Sequence, residues 1–298
     1  MFVFIYRTKF KLNCKITTIT RLFILPLLWI NIAVAGDRLQ PALDAFETRD
    51  FKAAIEMLEQ LDSDRDVLFH LARVQLRAGA FEDAADTLAI LHGSYPDDAE
   101  AWYLTGLVRL SLVGEVSIFR KVGMAKKTLE AFETSVRIDP NHLNSRYAIF
   151  AFYANAPGIA GGDLEKAQPL QPELDLRDPG FGAMAKALLL SKENNHRDAE
   201  KAYRDAIEFL DRAGPHFALA QFYMQTEQWQ KAITEIEQYH IKEKRWWDPD
   251  VTVAHLISAR AHAELGKKTE ARELANLALT MNPNDQIRGM LEETLQAL

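Results

Sequence analysis

The sequence predicts an all-α protein, an α-solenoid of about seven helical hairpins followed by a capping helix, and three observations support this. Alanines recur in pairs twelve positions apart, as expected where the two helices of a hairpin cross closely. Apolar residues follow at helical spacing, as in Phe81, Leu88 and Leu91. Helix-ending residues such as Gly79 and Pro96 stand between the predicted helices. The pairs are Ala42 with Ala54, Ala72 with Ala84, Ala187 with Ala199, Ala220 with Ala232, and Ala259 with Ala271.

The second helix of every hairpin can be placed from these pairs. Thr128 and Ala167 take the corresponding position in two irregular hairpins, near 99–140 and 141–179. Together they give seven hairpins over residues 36–298. The last hairpin of a stack leaves an apolar face open, and residues 290–298 are predicted to cover it as a capping helix.

The first 35 residues differ from the rest of the chain. Five basic residues and no acid precede an apolar stretch, residues 22–35, which ends in Ala33-Val34-Ala35 before Gly36. This pattern is typical of a secretory signal peptide cleaved after Ala35, and the stretch is shorter than the roughly 20 residues of a membrane-spanning helix. We therefore expect an exported, most simply periplasmic protein with no membrane span in residues 36–298. The alternative is an uncleaved N-terminal anchor with the body outside the cytoplasm.

Charge and cysteine content exclude several classes of function. Removal of the five basic residues changes the net charge from −7 to −12, which argues against nucleic acid as a partner. The single cysteine, Cys14, lies in the predicted leader, so thiol catalysis and cysteine-ligated metals are not expected. The scattered histidines and acids form no catalytic or metal-binding motif. The sequence predicts a protein that is not an enzyme and has no cofactor or metal.

Several hairpins resemble the tetratricopeptide repeat, a helix-turn-helix unit of about 34 residues. Trp102 and Gly106 match the start of that repeat, and Phe132 and Pro140 match its end. The resemblance extends over most of residues 37–298 and implies a superhelix of stacked hairpins, whereas it says little about function.

The third hairpin departs from the repeat by an insertion. Gly106 and Thr128 are 22 residues apart instead of twelve, and the extra segment includes the basic residues Lys126 and Lys127. Two interpretations stay open. The segment either lengthens both helices or presents a basic patch to an acidic partner.

The fourth hairpin contains a glycine-rich loop over residues 156–163, with Asp163 placed to cap the next helix. The string 157–167 is similar to one in exported bacterial tetratricopeptide proteins, some of which are accessory T subunits of TRAP-type transporters. Pro169 and Pro172 should kink or end the helix that follows. The loop residues singled out as a candidate site are Pro157, Gly158, Gly161, Gly162 and Asp163.

The first helices of such hairpins line the concave face, and helical register indicates which residues lie there. The lining is mostly apolar, which suits an apolar peptide or helix of a partner. The leading prediction is therefore an exported scaffold with a protein or peptide partner in this groove. The alternative is an accessory transporter subunit that binds a hydrophobic small molecule, with the glycine loop shaping the entrance. The groove residues are Phe69, Arg73, Tyr103, Leu107, Ile149, Phe152, Met184, Leu188, Phe217 and Met224.

A third irregularity is the sequence Arg245-Trp246-Trp247-Asp248-Pro249 between the sixth and seventh hairpins. Adjacent tryptophans beside an arginine are typical of interaction hot spots. The favoured interpretation is instead that they fill the joint between these two hairpins.

Overall fold

The computed structural model describes residues 38–113 and 118–298, with side chains from 121 onward in the second range. The predicted signal peptide, residues 1–35, lies outside them. The chain divides into two compact units. Residues 1–40 form the first, which is described only from residue 38, and residues 41–298 form the second, which carries the repeated hairpins.

Helices are the only regular secondary structure of the described residues, apart from turns, which fits the all-α prediction. A short 3-10 helix, Gly158–Ala160, follows the seventh α-helix. The α-helices are α1 Gln40–Glu47, α2 Phe51–Glu59, α3 Arg65–Ala78, α4 Phe81–Ser94, α5 Ala99–Val113, α6 Ile118–Ile138, α7 Leu143–Asn155, α8 Leu164–Ala167, α9 Leu170–Arg177, α10 Pro179–Lys192, α11 His196–Leu210, α12 Ala213–Gln225, α13 Trp229–Ile241, α14 Val251–Glu264, α15 Lys268–Thr280 and α16 Asp285–Gln296.

Consecutive helices pack as pairs, which confirms the predicted hairpins. All ten alanines of the five pairs are at most 1% exposed, as are Thr128 and Ala167 in the irregular hairpins. A larger side chain at any of these positions would push two helix backbones apart, because interior packing leaves no space beside them. The alanine spacing therefore indicates where the two helices of each hairpin cross.

The capping helix is longer than the sequence indicated. It begins at Asp285 instead of Met290, because the side chain of Asn284 accepts a hydrogen bond from the backbone N–H of Ile287 at 3.0 Å and starts the helix there. Leu291 is fully buried against the last hairpin, in a cluster that includes Leu256. The helix thus covers the apolar face that the final hairpin would otherwise expose.

The third hairpin absorbs its insertion by lengthening. Helix α6 has 21 residues, and the side chains of Lys126 and Lys127 are exposed on it. At the start of the hairpin, a Cβ on Gly106 would lie 2.2 Å from the ring of Phe132, so only glycine allows this close approach. Only the second helix is lengthened, because α5 has 15 residues and α3, the first helix of the preceding hairpin, has 14. A role of the basic side chains as a patch for an acidic partner stays a prediction.

The fourth hairpin has a broken second helix. Helix α8 ends at Ala167 and α9 begins at Leu170, with Pro169 at the junction, as the prolines predicted. Pro172 is tolerated within α9 because it lies in the first turn, where backbone N–H groups have no partner inside the helix. The break turns the chain sharply before α10.

Candidate binding site

The connection between α13 and α14, residues 242–250, lies across the first helices of the early hairpins. The ring of Trp246 packs edge-on against Phe69 at 5.6 Å and against Tyr103 at 5.8 Å between centroids. Its indole N–H donates to Oε1 of Glu100 at 2.9 Å. We call residues 242–250 the crossing loop, because it joins the last hairpins to the concave face of the second and third.

Hydrogen bonds to its backbone hold the crossing loop in place. Nη2 of Arg77, on α3, donates to the carbonyl oxygens of Trp246 at 2.7 Å and of Asp248 at 2.6 Å. The hydroxyl of Tyr239 donates to the carbonyl of Pro249. The two bonds from the Arg77 guanidinium are charge-assisted and are therefore stronger than bonds between neutral groups. The loop is therefore a fixed part of the concave face.

The carboxyl group of Asp248 organises the loop from within. Its Oδ2 accepts a hydrogen bond from the backbone N–H of Arg245 at 2.7 Å, and the residue is only 5% exposed. This burial raises the pKa of Asp248, since a desolvated carboxylate is costly. The neighbouring guanidinium groups of Arg212 and Arg77 act in the opposite direction.

The crossing loop covers part of the predicted groove. Phe69 and Tyr103 are each 6% exposed, and Arg73 lies over the Trp246 ring at 5.4 Å. The interpretation that Trp246 fills the joint between the sixth and seventh hairpins is wrong, because this side chain contacts the second and third hairpins instead. The loop is held against these hairpins because the guanidinium of Arg77 donates hydrogen bonds to its carbonyl groups.

The middle of the concave face stays open. A cavity of about 380 Å³ lies between α7, α10 and α12 on one side and the crossing loop on the other. Tyr103, Met184 and Phe217 of the predicted groove line it, together with Trp247 and the exposed Gln221. Arg212 lies over the ring of Trp247 at 5.7 Å. We call this the central cavity.

A second cavity, of about 450 Å³, lies among α5, α6, α7 and the glycine loop. Leu107 and Phe152 of the predicted groove line it, and so does Pro157 of the loop. Thr128, Tyr147 and Asn155 carry the polar side-chain groups of its wall, and the Thr128 hydroxyl already donates to the carbonyl of Met124 at 3.0 Å. We call this the apolar cavity.

The glycine loop has the conformation that its residues require. Gly161 has φ of +102°, and a Cβ on Gly162 would lie 1.7 Å from the carbonyl oxygen of Ala156. Gly158 has open space around it. Asp163 caps α8 by accepting hydrogen bonds from the backbone N–H groups of Glu165 and Lys166, as predicted. The loop thereby holds Pro157 at the wall of the apolar cavity.

Three predicted groove residues lie elsewhere. Leu188 packs at the edge of the cluster around Phe150, and Met224 packs beside the cluster around Tyr223. Ile149 is half-buried and lines neither the central nor the apolar cavity. Arg212 borders the central cavity just before α12, and helical register does not identify it because it precedes the first residue of the helix.

The described residues offer no centre for metal chemistry or a membrane span. Nowhere in them do three His, Cys, Asp or Glu side chains come together as metal ligands would. None of their helices combines the length and the apolar character needed to cross a bilayer. What this surface offers is apolar contact area, with aromatic rings and arginines at its centre.

Comparisons with known proteins agree with this architecture. Two models described as tetratricopeptide repeat match residues 45–108 and 217–286. A search of curated proteins gives no match. Among solved structures, a tetratricopeptide repeat protein from Parabacteroides merdae is similar, with 15% identity, 87% of this chain and 98% of that chain covered, and a TM-score of 0.53.

Two further solved structures are also similar. A thermophilic protein of the same repeat type, from Thermus thermophilus, has 15% identity over 77% of this chain and 98% of that chain, with a TM-score of 0.47. Human IFIT1, solved as a dimer with PPP-AAAA, has 16% identity over 82% of this chain and 54% of that chain, with a TM-score of 0.51. At these identities the likeness concerns the fold alone.

Proposed function

Because the chain is a tetratricopeptide repeat protein, we propose that it is an exported, non-enzymatic scaffold that holds a protein partner at the central cavity. Repeats of this type indicate protein interaction in general. The observation that supports this location is the open, largely apolar cavity whose wall includes the half-buried side chains of Met184 and Trp247. Aromatic side chains and arginine beside a cavity are the residues that most often anchor an interface.

The partner that fits this surface has a short apolar segment with an acidic or polar end. Met184 adapts to irregular apolar shapes because its side chain is unbranched. Arg212 stands at the border of the cavity and already stacks on two rings, those of Phe181 and Trp247. An acidic group of the partner would meet this cation.

Site-specific photocrosslinking in cells tests the proposal. A photoreactive phenylalanine analogue at exposed Gln221, which borders the central cavity, should capture one discrete protein. The same analogue at Glu237, exposed on the second helix of the same hairpin, is the matched control. The substitution Met184→Lys should remove the product. Equal products at both positions, or none at Gln221, would contradict the proposal.

Export is tested separately by the N-terminal sequence of the protein purified from cells. Cleavage after Ala35 predicts a chain that begins at Gly36 and is recovered from the extracytoplasmic fraction. An uncleaved anchor would leave the N-terminal residues in place and keep the protein with the membrane. Recovery in the cytoplasm would contradict export.

The second candidate function is binding of a hydrophobic small molecule, and the apolar cavity favours it. The volume of this cavity lies within the range of small-molecule sites, and its wall has almost no polar group left to bind water. Leu110 lines the cavity and is 54% exposed, so it marks the rim.

Native mass spectrometry and organic extraction of the purified protein test this candidate. A bound apolar compound should be present in the wild type and depleted in Leu110→Lys. The matched control is Leu176→Lys, because Leu176 is 89% exposed on α9 and lines neither cavity. A wild-type protein that yields no extractable compound would count against a small-molecule function.

A further inference from the structure

A separate cavity of about 380 Å³ also borders the crossing loop and shares Asp248 and Pro249 with the wall of the central cavity. Its wall includes aromatic rings of the first hairpin, the first helix of the second, and Trp246. Five cations and three carboxylates surround it, so its charge is positive although the chain as a whole is acidic. The charged residues are Arg49, Arg73, Arg77, Lys244 and Arg245, with Glu47, Asp248 and Asp250.

The three carboxylates leave the central cations of this cavity without an ion pair. Asp250 pairs with Arg49 at 2.9 Å. Asp248 directs its Oδ1 to the side of Gly214, at 2.8 Å from the position of a Cβ there. Among the described residues, no carboxylate lies within 4.0 Å of the guanidinium of Arg73 or Arg77.

Two other cations at the wall have partners outside the cavity. Nζ of Lys244 donates to the carbonyl oxygens of His240 at 2.9 Å and Lys242 at 3.3 Å. Arg245 forms an ion pair with Glu243 at 3.1 Å, and both side chains are largely exposed. The positive charge that has no carboxylate partner is therefore concentrated at Arg73 and Arg77.

Arg73 is held in an unusual environment for a cation. Its guanidinium lies 5.7 Å from the ring centre of Phe46 and 5.4 Å from that of Trp246. Nη1 donates to Nδ1 of His70 at 3.0 Å. Burial, followed by repulsion from Arg77, lowers the pKa of Arg73 to about 10, and Glu47 and Glu100 offset this only from a distance. An anion bound here would relieve this cost.

Arg77 is the second cation of this cavity that can bind an anion. It follows Arg73 by one turn of α3, and its Nη2 is used by the two loop carbonyls. Its remaining donors have no acceptor among the described residues. Two guanidinium groups one helical turn apart can bind both oxygens of one carboxylate, which accepts several N–H donors at once.

We propose that this cavity binds a small organic carboxylate, with its carboxylate between Arg73 and Arg77 and its apolar body against Phe46, Phe51 and Trp246. This goes beyond the proposed function, because the ligand occupies a different cavity from the partner. The ligand would stabilise the crossing loop, because it would contact Trp246, which belongs to the loop, and Arg77, which binds the loop carbonyl groups.

Isothermal titration of the purified protein with 4-phenylbutyrate tests this proposal, with 4-phenylbutan-1-ol as the uncharged control. The carboxylate should bind and the alcohol should bind at least about tenfold more weakly, because only the carboxylate engages the two arginines. Absence of binding by the carboxylate, or equal affinity for the two compounds, would overturn the proposal.

Three variants locate the binding. Arg73→Gln and Arg77→Gln should each weaken 4-phenylbutyrate binding about tenfold or more, whereas Arg109→Gln, which removes a half-buried arginine of α5, should leave the affinity unchanged. Val251→Trp fills the cavity from α14 and leaves every charge in place, so it should weaken 4-phenylbutyrate binding. This variant tests the location of the site even if an arginine variant fails to fold. Wild-type affinity in Val251→Trp would overturn the location.

Discussion

The concave face has two regions with the same kind of lining and different availability. Under the crossing loop, Phe69 is covered by Trp246 of the same chain, and Tyr103 lies at the boundary, against Trp246 and at the wall of the central cavity. Between α7, α10 and α12, Met184 and Gln221 border an open cavity. Both regions have apolar first-helix residues at corresponding register. A repeat therefore determines which side chains face inward, but an irregular connection determines which of them remain free to bind.

The largest expected effect is the removal of the side chain that covers the first region. Trp246→Ala should lower the free energy of unfolding by about 3 kcal/mol, because it leaves a cavity against two aromatic rings and removes the indole N–H that donates to Oε1 of Glu100. Its neighbour Trp247, at the border of the open cavity, is the matched control, and Trp247→Ala should cost about 1 kcal/mol. Chemical denaturation measures both values. Equal losses would remove the distinction between the regions.

A smaller loss of unfolding free energy is expected when the crossing loop keeps Trp246 and loses its hydrogen bonds from Arg77. Arg77→Met removes two hydrogen bonds from a cation to loop carbonyls and should destabilise the protein by about 2 kcal/mol. Arg109→Met removes one bond, to the carbonyl of Lys127 on α6, and should cost about half as much. Hydrogen exchange of residues 242–250 should accelerate in the first variant and not in the second. Unchanged exchange in Arg77→Met would show that other contacts hold the loop.

The pH dependence of stability sharpens the comparison further. Burial and the charge of Arg73 lower the pKa of His70, in the covered region, from its ordinary value of 6.5 to about 4. Between these two values the unfolded chain binds the proton and the folded chain does not, so this contribution to stability is present above pH 6.5 and is lost as the pH falls towards 4.

The variant His70→Gln should therefore lose less stability than the wild type between pH 6.5 and 4, whatever its stability at neutral pH. Thermal unfolding followed at several pH values in this window gives the two slopes. Parallel curves for the variant and the wild type would show that His70 does not contribute to the pH dependence.

Much of the fold was predictable because it depends on short-range spacing. Ala72 and Ala84 are twelve residues apart, and both are fully buried at a helix crossing. The same rule placed Thr128 and Ala167, which are equally buried although their hairpins are irregular. The start of the capping helix was missed because Asn284 caps it six residues before Met290, where the helix was predicted to begin. Local periodicity indicates which residues are packed in the core, and it gives less information about which residue caps a helix.

The site was predictable only in part, for a physical reason. Helical register identified inward-facing residues such as Met184 and Phe217, which border the central cavity. It could not show that Trp246 would contact Phe69, because this contact joins residues that are far apart in the chain and depends on the carbonyl groups that Arg77 binds. Backbone acceptors are the same at every residue and leave no signal in a sequence. The binding role of the groove and the glycine loop stays a prediction.

Cysteine accessibility tests the division of the concave face most directly, and Cys14 is the single cysteine of the chain, so a Cys14→Ser background has none. Phe69→Cys and Met184→Cys are compared for their rate of reaction with a maleimide in the folded protein. We expect Met184→Cys to react at least about tenfold faster, and Trp246→Ala to raise the rate at position 69 towards that at position 184. Equal rates in the presence of Trp246 would contradict the claim that the crossing loop closes one region and leaves the other open.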